Sequence, residues 1–428
     1  FYYDKLRFMI KLYLYLIDIT VPLFFGILTI LLNTNVDSSQ HALILYLLFS
    51  FSIFFLSTIK NYYKDYYLIN FSEKLRIAVV TWVFAIFIQL LAYNHLLVQL
   101  DLLTLIFWIL IPITTLILKY IVKIKTKYTM KYTIHIIGRF YTFNDHEIKM
   151  LTHKGYLFYF YDSYDEFKNK KINEKKSIKS IIVLNLSVLD SSAFKNIKSE
   201  SSEKLFISLD VFFEKYLRKI YIKPGNNLLN ISKYNRYHYI IKRTIDSLSI
   251  LLLLPILFII IIYIYIMKKI RNIDESIFYK QKRYGLGNTI FQIYKLRTMY
   301  VDSDIKGNTN QDDPRIYSFA KGIRNMRLDE IPQIINILLN DMHLVGPRAE
   351  WVRLSDKYNL IINYYSKRHI VRPGITGWAQ IAYPYGLDTY DAEQKLMYDL
   401  YYIKNWSVWL ELEICFKTFL VILDKKGF

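Results

Sequence analysis

"SLSILLLLPILFIIIIYIYI", residues 247–266, is long enough to cross the ~30 Å hydrocarbon core of a bilayer at 1.5 Å rise per residue. Its flanks argue for a different placement. Lys242 and Arg243 precede it, and Lys268, Lys269 and Arg271 follow it. Both ends therefore carry the positive charge that marks a cytoplasmic flank. Pro255 lies inside the run, where it removes a backbone donor and kinks a helix. A kinked apolar helix with both ends on one side reads as a re-entrant element in a single leaflet. The other reading, a full span, would put residues 270–428 outside the cell. The charge pattern favours re-entry.

Upstream, four more apolar stretches occupy roughly residues 12–32, 43–59, 77–98 and 102–122, each about one membrane thickness long. Lys5, Arg7 and Lys11 flank the first, and the loop Asn33–His41 has no Lys or Arg. Lys60, Lys64, Lys74 and Arg76 fill the next loop, Asn94–Asp101 has none, and Lys119, Lys123, Lys125 and Lys127 close the series. This alternation puts the N-terminus and everything after residue 122 in the cytoplasm. Asp18, inside the first stretch, is either functional or a carboxylate near the cytoplasmic helix end. The composition agrees with a membrane protein: 53% of the 428 residues are hydrophobic. Lys plus Arg exceeds Asp plus Glu by 20, which suits an anionic partner. Beside a membrane signal that partner is lipid headgroup or phosphate, and no nucleic acid is expected. The single cysteine, Cys415, can form no internal disulfide and reads as an apolar side chain.

Residues 130–220 alternate strand-like and polar helical runs. "YTIHIIG" (132–138), "YLFYFY" (156–161), "SIIVLNL" (180–186) and "LFISL" (205–209) predict a small, largely parallel α/β module. Gly138-Arg139-Phe140 follows its first strand in place of a G-x-G-x-x-G loop, so a structural or regulatory role is expected rather than dinucleotide binding. Residues 221–240 read as a linker.

Beyond residue 270 the chain turns polar and rich in motifs. "YKQKRYGLGNTIFQIYKLRTM" (279–299) puts two glycines in a basic turn before a strand-like run ending at Lys295 and Arg297. The stretch 303–333 then brings Arg315, Arg324 and Arg327 close in sequence to Asp329 and Glu330. "LVGPRAE" (344–350) and "RPGITGWAQI" (372–381) each join an arginine to Pro and Gly, in turns whose N–H groups can face an anion. Pro332 fits only the first turn of a helix, which predicts a helix from about Asp329 to Leu339. The acids then sit at its positive end, and nearby guanidiniums are expected to keep Asp329 ionised. Two readings stand: a salt-bridged helix start, or a carboxylate nucleophile for phosphoryl transfer with cations on the phosphate oxygens. Mg²⁺ held by Asp329 and Glu330 would suit the second.

Lys242-Arg243 with Asp246, the Pro255-broken helix, "QKRYGLGNTIFQIYKLRTM", "DPRI", "RLDEIPQIINIL", "DMHLVGPRAE" and "RPGITGWAQI" occur in one order. In that order they resemble the monotopic phosphoglycosyl transferases, bacterial enzymes that start exopolysaccharide, O-antigen, capsule or glycoprotein glycan assembly. The resemblance covers about residues 240–428. The architecture ahead of it is similar to the long form, the undecaprenyl-phosphate galactose or glucose phosphotransferases. The resemblance implies that Asp329 attacks a UDP-sugar, expels UMP and carries a covalent phosphosugar to undecaprenyl phosphate. It implies Glu330 as the dyad partner in proton handling or Mg²⁺ placement, Arg324 at the polyprenyl phosphate and Arg348 at a substrate phosphate. Lys295, Arg297, Arg315 and Arg372 are lesser phosphate-binding candidates. A homodimer in the bacterial cytoplasmic membrane, its catalytic domain facing the cytoplasm, is also implied. Leu254-Pro255 replaces the usual Ser-Pro, Met326-Arg327 the usual Thr-Ser, and Ala349 a proline. These departures bear on sugar choice and helix angle more than on the reaction.

The expected fold is membrane α plus α/β. A four-helix transmembrane bundle occupies 1–128, a small Rossmann-like α/β module 129–222, and an α/β catalytic domain with a re-entrant helix at 247–267 occupies 223–428. The competing class is a non-catalytic membrane scaffold or regulator of polysaccharide export.

Overall fold

A computed structural model of the chain describes residues 2–32, 46–51, 53, 71–96, 102–126, 132–138, 141–153, 156–163, 166–167, 180–184, 205–222, 231, 234–300, 313–384, 386 and 388–423. It divides into two compact units, Phe1–Leu209 and Asp210–Phe428.

In the first unit, helices α1 (Tyr2–Leu32), α2 (Phe71–Leu96) and α3 (Leu102–Thr126) are apolar on most of their surface. The second apolar stretch, 43–59, lies largely outside the described residues, although 46–51 is helical. Val21 and Phe25, Tyr46, Phe49 and Ile53, Ala85, and Phe107, Trp108 and Ile111 share one core, so all four stretches contribute to it. Gly26 lets Tyr46 lie flat on α1: a β-carbon there would come within 2.8 Å of the tyrosine. Asp18 on α1 and Lys119 on α3 form an ion pair with both side chains buried. That contact gives the carboxylate a structural partner. The apolar windows of α1, over Leu12–Thr29, and of a long helix in the second unit are each sufficient to cross a membrane.

The same unit holds a parallel sheet in the order β2-β1-β3-β4, from β1 (Tyr132–Ile137), β2 (Tyr156–Tyr161), β3 (Ser180–Leu184) and β4 (Leu205–Ser208). Helix α4 (Asp145–His153) makes the β1–β2 crossover that a parallel pair requires. Gly138 leaves β1 at φ +96°, a conformation that favours glycine, and its N–H meets the Tyr161 carbonyl at 2.7 Å.

The second unit begins upstream of the motifs. Arg218 stacks 4.2 Å above the Trp378 ring and pairs with Glu413 at 2.7 Å. Lys219 is buried and donates to Gln394 Oε1 at 2.7 Å. Helix α5 (Arg236–Ile270) then runs unbroken through Pro255 for about 52 Å. It swallows the end of the expected linker. Its buried positions, Lys242, Asp246, Ser249, Leu257, Ile260, Ile264 and Lys268, form one stripe at helical spacing. That stripe rests on the remainder of the second unit from end to end. Lys242 donates to the Val345 carbonyl at 2.8 Å, and Leu257, Ile260 and Ile264 join Leu296, Ile323, Ile331 and Ile334 in one core. At the other end Lys268 donates to the Glu275 carbonyl at 3.2 Å. The opposite face is apolar and open, with Leu251 and Leu252 71% exposed and Phe258 66%.

A hairpin of β5 (Phe278–Tyr284) and β6 (Ile290–Leu296) follows. The two glycines belong to its turn: Gly285 N–H closes on the Thr289 carbonyl at 2.7 Å, and Gly287 takes φ +62°. Short helices α6 (Lys321–Asn325) and α7 (Ile334–Leu338) bracket the acidic pair. The parallel strands β7 (His343–Val345) and β8 (Gly374–Thr376) carry the two Pro/Gly motifs. Helices α8 (Val352–Ile361), α9 (Trp378–Ala382), α10 (Thr389–Lys404) and α11 (Val408–Leu423) complete the unit.

Candidate active site

The acidic pair is presented differently from the expected α-helical start. Arg327 takes a left-handed conformation at φ +56°, and Leu328–Gln333 is a 3-10 turn that becomes α-helical only at Ile334. For a non-glycine residue the left-handed step costs on the order of 1–2 kcal/mol. It turns the chain between α6 and the 3-10 segment and so delivers Asp329 and Glu330 together. Pro332 sits inside the 3-10 turn, where its missing donor is tolerated.

Around the pair, β6 contributes Lys295 and the loop after β7 contributes Arg348. Lys295 Nζ lies 2.6 Å from Glu330 Oε1, and an Arg348 Nη lies 3.5 Å from the same oxygen. The loop holds its place because backbones meet with no room for side chains. A β-carbon on Gly374 would strike Gly346 N at 2.0 Å, and one on Gly377 would strike Gly346 O at 2.1 Å. From α6, Arg324 donates to Thr298 Oγ1 at 3.4 Å.

The electrostatics divide the acids. Burial pushes the Glu330 carboxyl up, but Lys295 and Arg348 outweigh it and hold the group well below the ordinary carboxylate range. Asp329 moves the other way. Burial and then the Glu330 charge raise it, against the pull of Lys295 and Arg324. Among the described residues no cation reaches ion-pairing distance of Asp329. The expectation that guanidiniums hold Asp329 down is corrected in direction only: Lys295 and Arg348 lie on Glu330, and the Asp329 carboxyl is raised to about 6, which leaves it largely ionised at neutral pH. Lys295 is lowered by its own burial, with Arg348 and Arg283 adding to the effect and Glu330 opposing it.

The lesser candidates separate. Arg297 follows β6 and lies over the Tyr279 ring at 5.6 Å, its Nε buried without an acceptor. Arg315 is committed to Asp313, Nη2 to Oδ2 at 2.6 Å. Arg372 donates to the Asn340 carbonyl at 2.7 Å, at the far end of the helical segment that starts with the dyad. Two residues were missed by sequence reasoning. Arg283 lies opposite Phe291 in the hairpin, on the same face as Lys295, and donates to the Ala349 carbonyl at 3.1 Å. Glu350 lies 4.0 Å from Arg283. Period-two counting from the glycine turn would have found Arg283.

Behind the site, Asp246 on α5 accepts from Leu344 N–H at 2.8 Å and meets His343 Nδ1 at 2.7 Å. These bonds lock α5 to the strand that feeds Arg348. For a cation, Asp329 offers a carboxylate with no competing ion pair among the described residues, whereas Glu330 Oε1 is already occupied. Among the described residues no three His, Cys, Asp or Glu side chains converge. The donor set fits a hard ion that completes its shell with substrate phosphates, as Mg²⁺ does.

Residues 237–425 match the family described as bacterial sugar transferase. The UDP-N-acetylgalactosamine-undecaprenyl-phosphate N-acetylgalactosaminephosphotransferase of Aeromonas hydrophila is 40% identical over 189 residues, 44% of this chain and 44% of that one. The UDP-glucose:undecaprenyl-phosphate glucose-1-phosphate transferase of Xanthomonas campestris pv. campestris is 40% identical over 156 residues, 35% of this chain and 32% of that one. The uncharacterized sugar transferase EpsL of Bacillus subtilis (strain 168) is 37% identical over 188 residues, 44% of this chain and 90% of that one. The match thus spans less than half of the first two relatives and nearly all of the third.

Proposed function

The chain belongs to the bacterial sugar transferase family, and from that premise we propose that it transfers a sugar 1-phosphate from a UDP-sugar to undecaprenyl phosphate, releasing UMP. The observation that carries this reading is the division of the dyad: Glu330 is bound to Lys295 at 2.6 Å, while Asp329 beside it has no ion pair among the described residues. An oxygen of Asp329 attacks the sugar-bearing phosphorus, and the bond from that phosphorus to the UMP oxygen breaks. A phosphate oxygen of undecaprenyl phosphate then attacks the same phosphorus and returns Asp329 as carboxylate. The lipid diphosphosugar leaves as the first intermediate of a surface glycan. Lys295, Arg348 and Arg324 neutralise the phosphate oxygens as charge spreads over them. Glu330 holds Lys295 and Arg348 in place. Asp329, with the remaining Glu330 oxygen and the diphosphate, would hold Mg²⁺, which supplies further charge neutralisation there.

The site has to meet an aqueous nucleotide and a lipid headgroup at one plane. The stripe of α5 that contacts the catalytic body along its whole length supports an element lying in one leaflet over a span. Cations at both ends of the apolar run, Arg243 on one side and Lys269 and Arg271 on the other, support a catalytic unit on the cytoplasmic side of a bacterial inner membrane, anchored also by the four upstream apolar stretches. The purified full chain, given undecaprenyl phosphate, Mg²⁺ and a panel of UDP-sugars, is expected to release UMP from at least one of them. EDTA is expected to suppress that release, and Mg²⁺ to restore it. No release from any member of the panel would refute the reading.

A further inference from the structure

The scheme above leaves one acid without a task. The Glu350 side chain is only 16% exposed, and its nearest cation, Arg283, is 4.0 Å away. Among the described residues no donor reaches its carboxylate within hydrogen-bond distance. Burial works to push the group up, yet Arg368, Arg348, Arg283 and Lys395 hold it below the ordinary range. An enclosed anion without a hydrogen bond is costly unless a donor arrives from elsewhere. The neighbouring guanidinium is also incomplete: Arg283 Nε is buried and has no acceptor. Glu350 stands two residues from Arg348, whose guanidinium reaches Glu330 at 3.5 Å. A cationic ring with a bare acceptor on its rim matches a ligand that carries phosphate and hydroxyl groups together.

The geometry points to Glu350 as a substrate-binding residue that accepts hydrogen bonds from hydroxyls of the nucleotide sugar. This rests on the transferase reading. The hydroxyls belong either to the transferred sugar or to the ribose, and both reside on the donor. Undecaprenyl phosphate has no hydroxyl outside its phosphate. Glu350 therefore acts in binding the nucleotide-sugar donor rather than the lipid acceptor.

The test is UMP release by the full chain with Glu350→Gln, at varied UDP-sugar and saturating undecaprenyl phosphate. The KM for the UDP-sugar is expected to rise about tenfold or more, with kcat and the KM for undecaprenyl phosphate nearly unchanged. Two analogues locate the hydroxyls, one 2′-deoxy in the ribose and one deoxygenated in the sugar. The analogue lacking the bound hydroxyl costs the wild-type chain about tenfold and costs the Glu350→Gln chain nothing further. Glu350→Asp keeps the charge but withdraws the oxygens, and it is expected to raise the same KM. If Glu350→Gln cannot be purified folded, that variant carries the test. An unchanged donor KM in the substituted chain, or equal losses with both analogues in both chains, would overturn the inference. A merely charge-balancing Glu350 would lower kcat and ignore the analogues. A wild-type chain that releases no UMP removes the transferase reading itself, and this inference falls with it.

Discussion

Asp329→Asn is expected to abolish UMP release, with a loss on the order of a thousandfold or more, while the protein stays folded. The two halves of that expectation have separate origins. An amide oxygen is a poor nucleophile toward phosphorus, so the covalent route closes. Stability is spared because Asp329, unlike most enclosed carboxylates, has no ion pair to lose among the described residues. Removing its charge also relieves the repulsion from Glu330 that raises its carboxyl. Thermal unfolding of the substituted chain should therefore match or slightly exceed wild type. Glu330→Gln is predicted to behave in the opposite way, because it strips the close partner from Lys295 and weakens the hold on Arg348. Intact-protein mass spectrometry completes the comparison. Wild type incubated with UDP-sugar and no acceptor should gain the mass of one sugar phosphate, and the Asp329→Asn chain none. Turnover by wild type through a ternary complex, without any adduct, would refute the covalent step and leave the overall transfer standing. A scaffold without catalysis would show neither UMP nor adduct in either chain.

Much of this site could be read before any coordinates, because its parts are local in sequence. Asp329, Glu330 and Arg324 fall within seven residues, and their neighbours Lys295 and Arg348 lie in short motifs with distinctive Gly and Pro. What escaped was pairing across distance. Arg315 stood as a lesser phosphate-binding candidate, and Asp313, two residues away, holds its guanidinium. Arg372, also a lesser candidate, gives its Nε–H to the Asn340 carbonyl, a pairing no motif announces. Arg283 and Glu350 come together only because the hairpin register sets Arg283 against the backbone of Ala349. The direction in which Asp329 is shifted was misjudged for a similar reason. Sequence proximity counts cations, but it does not say which of two adjacent acids they touch. The 3-10 turn escaped as well, since Arg327 carries no glycine-like signal for its left-handed conformation. The helices over the first, third and fourth apolar stretches, by contrast, were legible from length and composition alone.

Lys242→Met is expected to be the most destabilising single change in the catalytic unit, at about 3–5 kcal/mol. Lys242 is 1% exposed and donates to Glu411 Oε1 at 2.7 Å, to Tyr402 Oη at 2.8 Å and to the Val345 carbonyl at 2.8 Å. Methionine fills the space but leaves a buried carboxylate whose remaining donors, Tyr402 and Trp406 Nε1, are neutral. The cost is thus the desolvated charge of Glu411 rather than a lost volume. Since an apolar or neutral replacement of both partners is often tolerated, Lys242→Met combined with Glu411→Gln should recover most of the loss. Denaturant unfolding of the two chains measures the difference. Equal stability of Lys242→Met and wild type would exclude a charge pair that matters to the fold. The consequence for catalysis follows from Val345, the residue before the Gly346-Pro347-Arg348 turn. In the single variant, UMP release should fall with stability. In the double variant the charge that competes for the single Tyr402 proton is gone, so that hydroxyl is free to donate to the Val345 carbonyl 3.0 Å away, the strand keeps a tether and release should return with the fold.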